Sequence, residues 1–240
     1  MAKAKPTSVK RERNLLLAVA LFVAVAILFA GLTTGKLTGK VPAGAEYNTA
    51  FIAWTLVYTV LAVGGYTLLK GRDFSIDDNK LSFYMPIVLV VAFIAQCVIG
   101  AAFRGYYYDI GTNMAWAIQS GQDLFNIYNS ASFIDYPPGM MYIWAPLAWL
   151  NNLLGGGNDA MVLLVKIPGI IANMGLAWLA YKWTSDIKGR TYGFFALCVV
   201  ALNPLLILDT CLWGQTDSVL MLFVMLAVYF MDKDKFPLPP

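Results

Sequence analysis

Apolar runs close to 20 residues long recur along this chain at 14–34, 49–69, 83–103, 160–181 and 192–210, and a shorter one follows at 218–231. A segment of about 20 residues crosses a hydrocarbon core of about 30 Å. Lipid offers no partner to a free peptide group, so such segments must be helical, and no run alternates in the manner of a membrane barrel strand. The expected fold is all-α: a polytopic membrane protein of about six transmembrane helices, with interfacial helices in its first large extracytoplasmic loop. With 59% apolar residues, 13% charged residues and a mean hydropathy of +0.64, the composition agrees.

The placement of charge orients the spans, because Lys and Arg near membrane ends favour the cytoplasmic side. Lys3, Lys5, Lys10, Arg11 and Arg13 precede the first run, which puts the N-terminus in the cytoplasm and makes that run a signal anchor; its apolar core is too long for a cleavable signal. Lys70, Arg72 and Lys80 mark the next cytoplasmic loop. The stretch 139–154 contains Pro146, Asn151 and Asn152 and is short for a crossing. Laid along the outer interface, it leaves Lys182, Lys188 and Arg190 cytoplasmic, so the interfacial placement is preferred. Thirteen of the seventeen Lys and Arg then face the cytoplasm, against Lys36, Lys40 and Arg104 outside and Lys166 within a span. Asp109, Asp123, Asp135, Asp159, Asp209 and Asp217 fall on or near the outer face. The expected location is the plasma membrane, with the site extracytoplasmic.

The same features exclude several chemistries. The chain has no His, which removes a histidine base, a Ser-His triad and a His-ligated metal. Its three Cys lie in or near spans and make no disulfide framework. The net charge of +3 lies at membrane ends, so nucleic acid is not an expected partner. Acid-base work falls to carboxylates.

Three clusters converge on the outer face: Tyr106-Tyr-Tyr-Asp109 with Trp116, Asp135-Tyr-Pro-Pro138, and Asn203-Pro204 followed by Trp213-Gly-Gln-Thr-Asp217. Asp109 to Trp116 opens a short helix expected to stop near Gly121, and Tyr136-Pro-Pro-Gly139 breaks the chain again. These clusters resemble the GT-C superfamily of polyprenyl-phosphate-sugar-dependent glycosyltransferases, especially the glucosyltransferases of N-glycan assembly and bacterial relatives of the GPI-anchor mannosyltransferases. The D-Y-P-P signature at Asp135, Tyr136, Pro137 and Pro138 is the most specific match. The run Gly121 to Tyr128 and the Asn-Pro to Trp-Gly-Gln-x-Asp block extend the resemblance over about residues 104–231.

The resemblance implies a membrane hexosyltransferase moving mannose or glucose from a polyprenyl-phosphate carrier to an unidentified acceptor on the extracytoplasmic side. It makes Asp109 the general base and gives Trp116, Asp135, Tyr136, Gln215 and Asp217 to the substrate. It also divides the chain into an N-terminal tail with an anchoring hairpin, 1–82, and a catalytic module, 83–240, whose loop with interfacial helices spans 104–158. Such enzymes carry about twice as many helices, so a second membrane polypeptide or downstream helices are expected to complete the site. The alternative is a non-catalytic partner subunit or scaffold.

An inverting displacement needs a carboxylate to take the proton of the acceptor hydroxyl. Lipid phosphate leaves readily, so no cofactor or metal is strictly required and a divalent cation is compatible. A side-chain cation would stabilise the phosphate, and Arg104 and Lys166 are the candidates. Lys166 lies about 9 Å inside its span, within snorkelling reach.

Bland roles compete. Asp109 and Asp217 suit helix N-caps, and Asp135 suits a turn. Tyr106, Tyr107, Tyr108, Trp144 and Trp149 suit the interfacial aromatic belt. Lys166 suits partner carbonyls or an ion pair with Asp159.

Overall fold

The structure, a computed structural model, describes residues 48–71, 75–130 and 133–233. The first expected span, the basic N-terminal residues, and Lys36, Lys40, Arg72 and Lys235 lie outside the described residues. All regular elements among the described residues are helical. Contacts divide the chain into two units, Met1–Asp73 and Phe74–Pro240.

In the first unit, one helix is described, α1 (Asn48–Gly71). Its apolar stretch, Thr55–Lys70, is shorter than a full span.

The second unit carries the remaining helices. Helix α2 (Asp78–Ala102) is capped by the Asp77 carboxylate, which accepts from Asn79 N at 3.0 Å and Lys80 N at 3.3 Å. Helix α3 (Tyr107–Gln122) opens two residues before the Asp109 expected from the sequence and ends one residue past Gly121, and the short α4 (Ile127–Ser130) follows it. Helix α5 (Pro138–Leu153) starts on Pro138, whose missing N–H costs nothing in a first turn. Helix α6 (Asn158–Lys188) turns at Gly189 into α7 (Arg190–Ala201). Asn203 is held extended by Pro204, which interrupts the helix. The chain resumes as α8 (Pro204–Ile207) and continues into a π-helix, Leu208–Trp213. Helix α9 (Asp217–Asp232) completes the unit.

Three of these segments are long and apolar enough to cross a membrane: Asp78–Ala102, Asn158–Lys188 and Arg190–Trp213. The chain is a helical membrane protein. Helix α9 has 16 residues and falls short of that length, as does α5 with 16.

Helix α6 is central, with 61% of its apolar window buried against 17% for α2. One apolar core joins α3, α5 and α6 through Ile110, Met114, Ala117, Met141, Trp144 and Val165. A second joins α2, α6 and α7 through Ala92, Ala177, Tyr181 and Leu197. Trp144 departs from its expected place in the aromatic belt: it is fully buried, and its indole N–H donates to Val165 O at 3.1 Å. Packing against α6 offers this ring both apolar cover and a carbonyl partner, which a headgroup position does not.

The chain direction of the helices sorts the charges of this unit. Lys80, Lys182, Lys188, Arg190 and Lys233 gather at one end, where Arg190 binds Asp78 at 3.2 Å and Ser82 Oγ at 2.8 Å, and Lys233 binds Asp186 at 3.1 Å. Asp109, Asp135, Asp159 and Asp217 lie at the other, together with Arg104.

Candidate functional site

Asp109 sits in the first turn of α3, but it is not the cap: Tyr106 occupies that position without a side-chain hydrogen bond. The Asp109 carboxylate is instead bound across the fold. Its Oδ2 accepts from Trp213 Nε1 at 2.5 Å and from Gln215 Nε2 at 2.6 Å, residues more than a hundred positions away. Both donors load one oxygen, which leaves Oδ1 open.

The segment that presents these donors is strapped down by its backbone. Tyr106 N donates to Trp213 O at 2.9 Å, and Asn113 Nδ2 donates to Gly214 O at 3.1 Å. Two glycines allow the approach. Gly105, at φ +107°, would put a Cβ 2.7 Å from Trp213 O, and Gly214, at φ +97°, would put one 2.9 Å from Ile110 Cδ1. The π-helix ends immediately before this turn, with Asp209 O accepting from both Gly214 N and Gln215 N at 3.0 Å. Such wide turns are frequent at functional sites.

Lys166 lies beneath the strap rather than beside Asp109. Its side chain is 1% exposed, and Nζ donates to Gly100 O at 3.0 Å, Phe103 O at 2.5 Å and Cys211 O at 2.8 Å. Gly100 and Phe103 end α2, so the ammonium satisfies carbonyls left open there and meets the negative pole of the helix. The carbonyl role holds, and all three N–H groups are used. Asp159 pairs with Arg104 instead, at 3.8 Å with both side chains largely exposed. Arg104 is therefore the cation left accessible at this end among the described residues of the second unit.

The Asp135-Tyr-Pro-Pro stretch folds over α3. Trp116, buried, donates its indole N–H to Phe133 O at 2.7 Å, and its ring lies 5.2 Å from that of Tyr136. Tyr128 donates to Tyr136 O at 2.8 Å. Burial pushes the Tyr136 hydroxyl pKa up, and Asp217, Asp135 and Asp109 add to the rise against a hydrogen bond with Thr216 that lowers it.

Together these elements enclose a cleft of about 190 Å³. Its walls are the carboxylates Asp109 and Asp135, the amides Asn113 and Gln215, the Thr112 hydroxyl, and the rings of Trp116, Phe133 and Tyr136. Of the residues singled out in the sequence, Asp109, Trp116, Asp135, Tyr136 and Gln215 meet here. Arg104, Lys166 and Asp217 do not line the cleft. Asp217 is the first residue of α9, and Thr216 rather than Asp217 holds the cap position, so the expectation of an Asp217 cap is corrected. Tyr107 and Tyr108 are exposed, while Trp149 donates to Gly121 O across α3 and α5. Sequence reasoning did not single out Trp213, Asn113, Thr112 or Phe133. Trp213 stood inside a quoted motif, but nothing in the sequence paired it with Asp109.

A second, apolar groove of about 280 Å³ runs between α5, α6 and α9, lined by Ile143, Leu147, Ile167, Val219 and Leu222 among others. Among the described residues, no group of acidic or sulfur side chains is spaced to hold a metal ion. Comparison with protein-family models, with curated proteins and with solved structures finds no match to this chain.

Proposed function

We propose that this chain is the catalytic half of a GT-C-type membrane glycosyltransferase that moves a hexose, mannose or glucose, from a polyprenyl-phosphate carrier to an acceptor at the extracytoplasmic surface. The observation that carries the reading is the meeting of three distant motifs around one cleft. Asp109 faces a cleft walled by Asp135 and Tyr136, and Trp213 and Gln215 hold it by a single oxygen. A residue needed only for capping has no use for those two donors.

In the proposed step, Oδ1 of Asp109 takes the proton of an acceptor hydroxyl as that oxygen attacks the anomeric carbon. The bond from that carbon to the phosphate oxygen breaks, and the lipid phosphate leaves with the electron pair. Attack from the face opposite the leaving group inverts the configuration. Arg104, exposed beside Asp159, is the proposed contact for the phosphate; Lys166 is not carried forward to that role because its donors are spent. The apolar groove supports a lipid donor. Its lining includes Val219, three residues beyond the Thr216 that bonds Tyr136, and its apolar walls suit the first isoprene units.

The sorting of Lys80, Lys182, Lys188, Arg190 and Lys233 to the end away from Asp109 supports a cytoplasmic placement for that end. Six crossings and residence in the plasma membrane belong to the same proposal. A partner chain or further helices would close the site over Asp109.

One observation favours the alternative of a non-catalytic subunit: the bonds from Asp109 to Trp213 and Gln215 also tie α3 to the strap, as a structural link would. Purified protein given polyprenyl-phosphate-mannose or polyprenyl-phosphate-glucose and a sugar acceptor is expected to release lipid phosphate, and Asp109→Asn is expected to abolish release without loss of folding. Full release by Asp109→Asn removes the catalytic role; unfolding of that variant in a chain without transfer activity favours the structural link.

A further inference from the structure

The hydrogen-bond inventory of the cleft leans toward acceptors. Four of its lining side chains spend a donor, which leaves the Tyr136 hydroxyl and the second amide hydrogens of Asn113 and Gln215. Asn113, 4% exposed, gives Nδ2 to Gly214 O at 3.1 Å. Thr112 Oγ1 donates to Tyr108 O at 2.8 Å. Gln215 gives Nε2 to Asp109, and Trp116 gives Nε1 to Phe133 O. Against the donors that remain, the carboxylates of Asp109 and Asp135 offer only accepting oxygens, and the side-chain carbonyls of Asn113 and Gln215 add to them.

Charge tells the same story. No Lys or Arg among the described residues lines the cleft. Lys166 is sealed under the strap, and Arg104 stands outside beside Asp159. Burial is the main cause of the raised Tyr136 pKa, and the carboxylates of Asp217, Asp135 and Asp109 add to it, as their place around the hydroxyl requires.

From this pattern we infer that the cleft is the acceptor's seat and selects an uncharged sugar ring that offers free hydroxyl donors, while rejecting phosphorylated and uronic acid sugars. The inference rests on the proposed glycosyl transfer for the word acceptor, but the selectivity stands on the cleft itself. Hydroxyls satisfy the accepting oxygens, and the apolar face of a pyranose covers the rings of Phe133 and Tyr136. A carboxylate or phosphate in the same place would meet two like charges with no Lys or Arg in the lining to offset them. The donor's phosphate must accordingly lie outside this cleft, on the Arg104 side.

Binding can be read without any transfer reaction. The full chain in nanodiscs, free of sugar-headed detergent, is titrated with methyl glucoside and methyl mannoside, with glucuronic acid and glucose 6-phosphate, and with a fully O-methylated methyl glucoside, by saturation-transfer NMR. The neutral glycosides are expected to bind, the two anions at least about tenfold more weakly, and the O-methylated sugar, which keeps the ring and loses every donor, not detectably. Asp135→Asn, an exposed position whose change should leave the melting temperature alone, is expected to narrow the gap between glucose and glucuronic acid several-fold. Selective binding by a protein that shows no transfer keeps this inference and removes only the glycosyltransferase proposal. Equal or tighter binding of glucuronic acid, binding of the O-methylated sugar, or no binding of either neutral glycoside overturns it.

Discussion

Replacing Lys166 with Met removes the ammonium and keeps a side chain of similar length. Two buried carbonyls, Gly100 and Cys211, and the part-buried carbonyl of Phe103 then lose their shared donor. A buried acceptor left unpaired costs about 1–3 kcal/mol, so the two buried ones cost about 2–6 kcal/mol and the lost Phe103 contact adds a smaller amount. Against this, the variant no longer desolvates an ion, which returns several kcal/mol. The net loss worked from these terms is about 3 kcal/mol, and at about 2–4 °C per kcal/mol for a unit of this size the melting temperature falls by about 6–12 °C. The protein carries its own reporter. Cys211 is fully buried next to the lost contact and Cys97 and Cys198 are partly buried, so a thiol-reactive fluorophore follows their emergence on heating in micelles. A midpoint within about 2 °C of the parent would show that the carbonyl contacts only balance the desolvation of the ammonium, and the staple argument would fail.

The strap makes further tests. Gly105→Ala forces a side chain into φ +107° against Trp213 O and should cost about 1–3 kcal/mol by the same thermal assay, whereas Gly111→Ala, with open space around it on α3, should be neutral or stabilise by about 0.5–1 kcal/mol. Trp213→Phe and Gln215→Leu each remove one hydrogen bond to the Asp109 carboxylate, and in the lipid-phosphate release assay each should lower kcat about tenfold or more, Trp213→Phe with little change in KM and Gln215→Leu, which also strips the cleft wall of an acceptor, with a raised KM for the acceptor sugar. Within the span, Asn173 donates to Gln96 Oε1 at 2.9 Å and to Thr210 Oγ1 at 3.3 Å, and Asn173→Leu should cost about 1 kcal/mol, since polar pairs between membrane helices are worth little more. A loss as large as that of Lys166→Met would show that this network does more than join helices.

Much of the helical framework is legible in the sequence because lipid permits so few solutions. Apolar runs at 83–103, 160–181 and 192–210 coincide with segments long enough to span, and the break expected at Tyr136-Pro-Pro-Gly139 is where α5 begins. The convergence of Asp109, Asp135 and Gln215 was suggested by motif resemblance, and the three share one cleft. Partners are another matter. A lysine in an apolar run announces that it needs company, but the carbonyls that hold Lys166 come from positions 45 to 66 residues away and from helix ends that hydropathy does not locate. Trp144 and Trp149 look alike in sequence, two rings five residues apart on one helix. Only the packing of α5 against α6 buries the first, while the second stays half exposed. Asp217 fails as a cap because the cap position falls one residue earlier, a shift that spacing cannot see.

In the proposed reaction Asp109 does nothing but accept a proton. Azide attacks an anomeric carbon without needing deprotonation, so it separates a base from every other role. With a polyprenyl-phosphate-hexose donor, Asp109→Ala, which also takes away one of the two carboxylates that repel anions from the cleft, is expected to be inactive toward a sugar hydroxyl and, on addition of sodium azide, to yield the glycosyl azide with inverted anomeric configuration. An Asp109→Ala protein that still glycosylates the hydroxyl, or a folded one that makes no glycosyl azide while the parent transfers normally, contradicts the assignment.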